Sequence, residues 1–201
     1  MQTHLPAPGR QPDHGAVLTA FSSFPEVLAA AQAGAPWALQ QLYDGLSGPV
    51  LAYCRSRGAA EPEDVTSEVF LSAFSALRDF RGDEQNLRAW VFTIAHRRLM
   101  DSFRQQSRRP VTSAYSFESD ERAVPSSEDE ALTAIATDRV RDLLADLPPD
   151  QRDVLALRIF GDLTIESIAA TLGKSGGAVK ALQRRALAAL RKRIEREGVP
   201  L

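Results

Sequence analysis

An all-α chain of two small helical domains joined by a flexible acidic linker is predicted by three observations. Apolar residues recur three and four positions apart in each patterned segment, and no stretch shows the period of two that a half-buried strand requires. An aperiodic stretch rich in Ser, Asp and Glu, residues 111–129, separates two groups of such segments. The last patterned stretch, Leu163 to Arg196, reads LTIESIAATLGKSGGAVKALQRRALAALRKRIER. A short helix, a glycine-containing turn and a long basic helix in that order make a helix-turn-helix. The expected divisions are a disordered leader (1–23), a first domain (24–110), the linker (111–129) and a second domain (130–201).

In the first domain, Pro25 to Ala33 reads as a short helix with proline at its start. A second helix begins near Pro36 with Trp37, Leu39, Leu42 and Tyr43, and is expected to be interrupted by Gly45, Gly48 and Pro49. Val50, Leu51, Tyr53 and Cys54 carry apolar character on to Gly58. Residues 61–80 then form an amphipathic helix whose inward face is Val65, Val69, Phe70, Ala73, Phe74 and Leu77. Asp64 and Glu68 lie one turn apart on another face, after Glu61 and Glu63. Acids there favour the helix N-terminus, and they also make a negative patch for a basic partner.

Residues 81–86 read as a polar loop, and a long helix follows from Leu87 to Gln106. Leu87, Trp90, Val91, Ile94, Ala95, Leu99 and Phe103 supply its apolar face. Arg97, Asp101, Arg104 and Arg108 fall on one side of it. The stretch His96–Arg109 carries a net charge of +4 with histidine neutral. Phe80, Trp90 and Phe92 lie beside this basic stripe, a combination that suits unstacked single-stranded bases as well as phosphate. Trp90 fits a place in the core equally well.

Pro110 ends that helix, and Val111–Glu130 carries a net charge of −5. Helix is expected again from about Asp129, with Leu132, Ile135, Val140, Leu143, Leu144 and Leu147. Pro148-Pro149-Asp150 breaks it and opens another helix, which Gly161 ends. Thr164 is the expected N-cap of the next, with Ile165, Ile168, Ala169 and Leu172 inward and Gly173 as its stop. Ser175 caps the long basic helix, whose apolar stripe is Val179, Leu182, Ala186, Ala189 or Leu190, and Ile194. Lys180 to Arg196 has a net charge of +6, the kind of balance that neutralises phosphates.

Composition excludes several classes. The 201 residues are 44% hydrophobic, an ordinary globular balance. No apolar run approaches the ~20 residues that span a bilayer, and the N-terminus lacks the apolar core of a signal peptide, so a cytoplasmic protein without membrane contact is expected. Cys54 is the only cysteine, which excludes an intrachain disulfide and a Cys-rich zinc site and fits a buried structural thiol. No metal-ligand spacing, phosphate loop or nucleophile motif stands out, so no catalytic, cofactor or metal residues are expected and the chain does not read as an enzyme.

Three stretches together resemble the small, extracytoplasmic-function (ECF) group of bacterial RNA polymerase sigma factors of the sigma-70 family. Glu63-Asp64-Val65 through Phe70-Leu71-Ser72-Ala73-Phe74 is similar to the core-polymerase-binding helix of that family. Phe80-Arg81-Gly82-Asp83, then Trp90, Ile94-Ala95 and Asp101, with arginines up to Pro110, resembles its −10 element segment. Leu147-Pro148 through Arg152, Leu155, Leu157, Arg158, Gly161, Leu163-Thr164, Glu166, Ile168-Ala169, Leu172-Gly173, Val179-Lys180 and Arg185-Ala186 resembles its −35 reading domain. The resemblance covers about 24–109 and 130–196.

The resemblance implies a promoter-specificity subunit. Glu63, Asp64, Glu68 and Leu71 would bind core RNA polymerase at the clamp helices of its largest subunit, and the flap of the second-largest subunit is a further expected contact. Phe80, Arg81, Asp83, Asn86, Trp90, Arg97, Arg98, Asp101, Arg104 and Arg108 would contact −10 DNA and capture a flipped base. Thr164, Ser175, Gly176, Gly177, Lys180, Gln183, Arg184 and Arg185 would contact the −35 element, with the second helix in the major groove. The acidic tether would pass toward the RNA exit path. An anti-sigma protein is an expected partner, and since the chain ends shortly after Glu197, sensing is expected to lie with another protein. Two places depart from the family pattern. Arg97 stands where Asn is common, and Val179-Lys180-Ala181-Leu182-Gln183 stands where Val-Lys-Ser-Arg-Leu is common. The alternative is a stand-alone helix-turn-helix regulator, which explains 163–196 and gives 61–109 no role.

Overall fold

The computed structural model describes residues 24–108 and 139–197, and every regular element among them is helical. The leader, the acidic linker and the expected resumption of helix near Asp129 lie outside the described residues. Helix α1 is Phe24–Gln32, α2 is Pro36–Ser56, α3 is Pro62–Ala76 and α4 is Glu84–Arg108. A 3-10 turn, Leu77–Asp79, follows α3.

The expected break at Gly45, Gly48 and Pro49 does not occur: α2 runs through all three. A proline inside a helix costs about 3 kcal/mol or more. Leu42 and Leu46 before it and Val50, Tyr53 and Cys54 after it are all buried. Each large apolar side chain so buried contributes about 1.5–3 kcal/mol, so tertiary packing outweighs the local penalty. Helix α4 also starts earlier than its apolar pattern suggests, because Asp83 and Asn86 cap it reciprocally. Asn86 N donates to Asp83 Oδ1 at 2.8 Å, and Asp83 N donates to Asn86 Oδ1 at 3.1 Å.

Leu87, Val91, Ala95 and Leu99 line the buried side of α4 as patterned, with Trp90, Ile94 and Phe103 half-buried. Phe92 corrects the sequence reading. It is fully buried, edge-on to Tyr53 with ring centroids 5.6 Å apart, and is not available to a nucleic-acid base.

In the second half, helical residues 139–145 lead to α5 (Pro149–Ile159), α6 (Ile165–Leu172) and α7 (Gly176–Glu197). Five consecutive residues of α5, Asp153 to Leu157, are buried. That is more than one face, because α5 packs on α7 on one side and touches α2 of the first half on another. Gly161 follows α5 for reasons of space, not backbone freedom. A Cβ there would lie 2.7 Å from Leu157 O, 3.0 Å from Leu163 Cγ and 3.1 Å from Phe92 Cδ1. The left-handed conformation falls on Asp162 instead, with φ 48°.

The two halves therefore meet directly, and one hydrophobic cluster runs through both. Thr93 of α4 and Thr171 of α6 share a hydrogen bond of 2.8 Å between their hydroxyls. Arg57 and Asp153 form an ion pair across the same junction, Nε to Oδ1 2.5 Å, with their side chains 5% and 11% exposed.

Candidate functional site

Three surfaces carry the residues that sequence reasoning singled out. The first is α3. Asp64, Glu68 and Leu71 recur at i, i+4 and i+7 and all are exposed, so they share one outward strip. Leu71 is 72% exposed, unusual for a leucine with no apolar cover. Glu63 points elsewhere: its Oε1 lies 2.5 Å from Arg55 Nη2 of α2. Partial burial raises its carboxyl, but the Arg55 hydrogen bond and charge outweigh this and hold it below the ordinary carboxylate value.

The second surface is the turn after α3 with the outer side of α4. Phe80 and Trp90 are half-buried and stack at 5.2 Å with a 32° tilt, forming an aromatic shelf. Arg81 folds back so that Nη1 donates to the carbonyls of Arg78 (2.9 Å) and Phe80 (2.7 Å). Asp83 and Asn86 are exposed, and one oxygen of each is used in capping α4. Arg97 is exposed, and Arg104 pairs with Asp101 at 2.9 Å. Arg98 links the first two surfaces, since its Nη2 donates to Ser72 Oγ of α3 at 2.7 Å and its Nη1 lies 4.0 Å from Glu68. The side chain of Arg108 lies outside the described residues.

The third surface is the helix-turn-helix. Thr164 caps α6 as expected, its Oγ1 accepting from Ser167 N at 3.1 Å. Gly173 takes the left-handed conformation, φ 63°, that ends α6. Ser175 Oγ accepts from Ala178 N at 3.2 Å, so it caps α7, and Gly176 and Gly177 form the first turn. Val179 and Ala186 are buried and Leu182 and Leu190 are half-buried, which resolves the inward stripe in favour of Leu190 over the exposed Ala189. Lys180, Gln183, Arg184, Leu187 and Arg191 then share one outward face of the helix. Arg185 does not join them. At 3.6 residues per turn it stands about 140° around the helix from Lys180, and its Nε donates back to Ala181 O at 3.3 Å. Arg193 is likewise held inward, donating to Asp142 O and pairing with Asp146, both at 2.8 Å.

Sequence reasoning missed a fourth cluster, at the junction of the halves. Beside the Arg57–Asp153 pair, Tyr53 Oη and His96 Nδ1 are 2.9 Å apart. Burial pushes the Tyr53 phenol well above its usual value and holds His96 below its own. Burial also raises the Asp153 carboxyl despite the opposing charge of Arg57. Cys54 is buried next to Tyr53, and its thiol is pushed up to about 12 by burial, as befits an inert structural cysteine. The apolar run Val154-Leu155-Ala156-Leu157 in α5 was the one available signal, because a helix covered on a single side has no use for four apolar residues in succession. Among the described residues no group of His, Cys, Asp and Glu is placed to hold a metal ion, and no helix is long and apolar enough to cross a membrane.

Comparison with known proteins places these surfaces in a family. Residues 42–109 match the family described as Sigma-70 region 2, and residues 143–192 match Sigma-70, region 4. The ECF RNA polymerase sigma factor SigD of Mycobacterium tuberculosis is 33% identical over 178 residues, covering 86% of this chain and 84% of SigD. The ECF RNA polymerase sigma factor BldN of Streptomyces coelicolor is 34% identical over 168 residues, 82% of this chain and 63% of the longer BldN. In fold, the chain is similar to CnrH as solved in complex with the cytosolic domain of CnrY, with a TM-score of 0.61 and 24% identity over 87% of this chain and 98% of that one. A stand-alone helix-turn-helix regulator leaves the region 2 match unexplained. Both sigma-70 regions occur in order on the two halves, and SigD aligns along most of its length: the chain belongs to the sigma-70 family of RNA polymerase sigma factors, in its ECF group.

Proposed function

We propose that this sigma factor uses its three surfaces in a fixed division of labour. The strip Asp64, Glu68 and Leu71 docks on core RNA polymerase, at the clamp helices of the largest subunit. Two carboxylates one turn apart beside an uncovered leucine suit a partner that is basic with an apolar centre. Glu63 supports this docking from behind, by tying α3 to α2 through Arg55.

The shelf of Phe80 and Trp90, with Arg97, Arg98 and Arg104 on the same helix, receives the separated strand at the −10 element. Aromatic faces stack on any unpaired base, and the guanidinium groups hold its phosphates. Asp83 and Asn86 act there chiefly through the shape of the turn that they cap. The outward face of α7 enters the major groove at −35. Lys180 and Arg184 meet phosphate, and Gln183 reads a base edge, adenine being the partner that an amide pairs with in bidentate fashion. Arg185 contributes charge from the side of the helix.

The observation that carries this reading is the joint exposure, on one chain, of the acidic-apolar strip and the basic face of α7, each on a helix whose opposite face is buried. The protein acts without catalytic chemistry of its own, in the cytoplasm, on promoter DNA. CnrH is solved in complex with the cytosolic domain of CnrY, and the sigma factor RpoE of Bartonella quintana with the anti-sigma factor NepR; a corresponding protein partner, an anti-sigma factor, is proposed for this chain.

The deciding experiment is in vitro transcription. The purified chain is mixed with sigma-free core polymerase and a genomic fragment library, and the 5′ ends are sequenced. Discrete starts that share two upstream elements are expected. Absence of starts, together with failure to co-elute with core polymerase, would overturn the proposal.

A further inference from the structure

Gln32 closes α1 and lies outside the stretch 42–109 that matches Sigma-70 region 2. Its amide reaches far along the chain. Nε2 donates to the carbonyl of Leu77 at 3.1 Å and to that of Phe80 at 2.9 Å. Both hydrogens of one NH2 group are thus used, and because both partners are acceptors only this orientation of the amide fits.

The two carbonyls belong to the first residue of the 3-10 turn, Leu77, and to the residue just after it, Phe80, where the segment Phe80–Asp83 begins. Phe80 O also accepts from Arg81 Nη1 at 2.7 Å. Arg81 is exposed, and when its guanidinium leaves for a phosphate Gln32 remains as the donor on that carbonyl. Further along the segment, Phe24, Leu28 and Gln32 face Gly82, Asp83 and Glu84 across a recess. The segment is therefore pinned at two ends: by the Asp83–Asn86 cap at α4 and by Gln32 at the turn.

We infer that Gln32 is a positioning residue for −10 recognition: it holds the Phe80 backbone where the ring seats on Trp90, and thereby sets base discrimination at that element. The inference rests on the assignment of Phe80–Asp83 to −10 DNA. Gln32 touches no DNA itself. It removes backbone freedom from a segment that must present an aromatic ring and two charged side chains in one arrangement, so that one base fits better than the others.

The test is initiation by the full chain with core polymerase on promoters that vary at each −10 position. The ratio of rates between the best and worst base is independent of how much of the protein is active. Gln32→Leu keeps the apolar bulk and removes both donors, whereas Gln32→Lys restores donors with the reach to meet the same carbonyls. Gln32→Leu is expected to lower the wild-type ratio by about tenfold, the effect of losing hydrogen bonds of ordinary net strength. Core association should be unchanged, the melting temperature should fall by only a few degrees, and Gln32→Lys should regain most of the ratio. A Gln32→Leu chain that keeps the wild-type ratio overturns the inference. So does one that initiates less on every promoter alike with a lowered melting temperature, since that is a packing role only. A wild-type chain with no −10 preference overturns the underlying assignment instead.

Discussion

Arg57 and Asp153 lie 2.5 Å apart at the junction of the two halves, almost wholly shielded from water, yet neither Arg57 Nε nor Asp153 Oδ1 makes an aligned hydrogen bond. A buried ion pair repays its desolvation only when its geometry is good. This one is close and shielded, so each charge depends on the other for its compensation.

Removing one partner leaves the other charge buried and alone. Asp153→Ala is expected to weaken the docking of the halves by about 3–5 kcal/mol, while Arg57→Met combined with Asp153→Leu should restore it. Small-angle scattering is the measurement, with a larger radius of gyration expected for the single variant than for the double. If the two halves read −10 and −35 elements as proposed, those elements, centred about 25 base pairs apart, lie roughly 85 Å apart along the duplex, and the halves would have to separate to reach both. The single variant should therefore initiate no worse than wild type. Equal radii for wild type and Asp153→Ala would show that the pair does not hold the halves together.

Acid should loosen the junction through His96. Burial holds it below the ordinary 6.5 in the folded chain. The unfolded chain then binds more protons as pH falls from 6.5, so stability present above that value is lost on acidification. Asp153 has the opposite sign, because its raised carboxyl lets the folded chain take up a proton first. Tyr53, Arg57 and Arg97 also face this cluster. From about pH 7 to about pH 5.5 the melting temperature of wild type should fall more steeply than that of His96→Gln. Parallel slopes would remove His96 from the account.

Asp64→Arg with Glu68→Arg should abolish co-elution with core polymerase, because both positions lie on the exposed strip. Glu63→Gln should weaken it only slightly, since that carboxylate is turned toward Arg55. Equal losses from the two changes would contradict this division.

On duplex −35 DNA, Lys180→Ala or Arg184→Ala should lower the salt slope of binding by about one and weaken all sequences alike. Gln183→Ala should concentrate its loss, about 1–3 kcal/mol, at a single base pair. Arg185→Ala should do less than either basic change, because it stands off the face that Lys180 and Arg184 share.

Two glycines should respond oppositely to alanine. Gly161→Ala forces a Cβ against Leu157 O and should destabilise by about 1–3 kcal/mol. Gly177 is helical with open space where a Cβ would stand, so Gly177→Ala should stabilise by about 0.5–1 kcal/mol. Denaturant melts of the two variants check both signs.

Much of this protein is written locally in its residues. Thr164, Gly173 and Ser175 announce the caps of the helix-turn-helix within a few positions of where they act, and all three take those roles. The apolar spacing from Val65 to Leu77 and from Leu87 to Leu99 likewise marks the faces that are buried. Such features are legible because capping and amphipathic periodicity are short-range matters of hydrogen bonding and side-chain direction.

What local pattern could not settle is where distant segments meet. Pro49 and its neighbouring glycines look like a break, but the burial of Leu42, Leu46, Val50 and Tyr53 carries the helix through. Phe92 looks like a surface aromatic beside arginines, but it is sealed beneath Gly161 and Tyr53. Nothing near Gln32 in the chain foretells the carbonyls of Leu77 and Phe80, and nothing near Arg57 foretells Asp153. The residues themselves determined the helices, their caps and the kind of protein this is. Only the tertiary fold decided which buried polar groups find one another, because that depends on contacts between segments far apart in sequence that desolvate both partners at once.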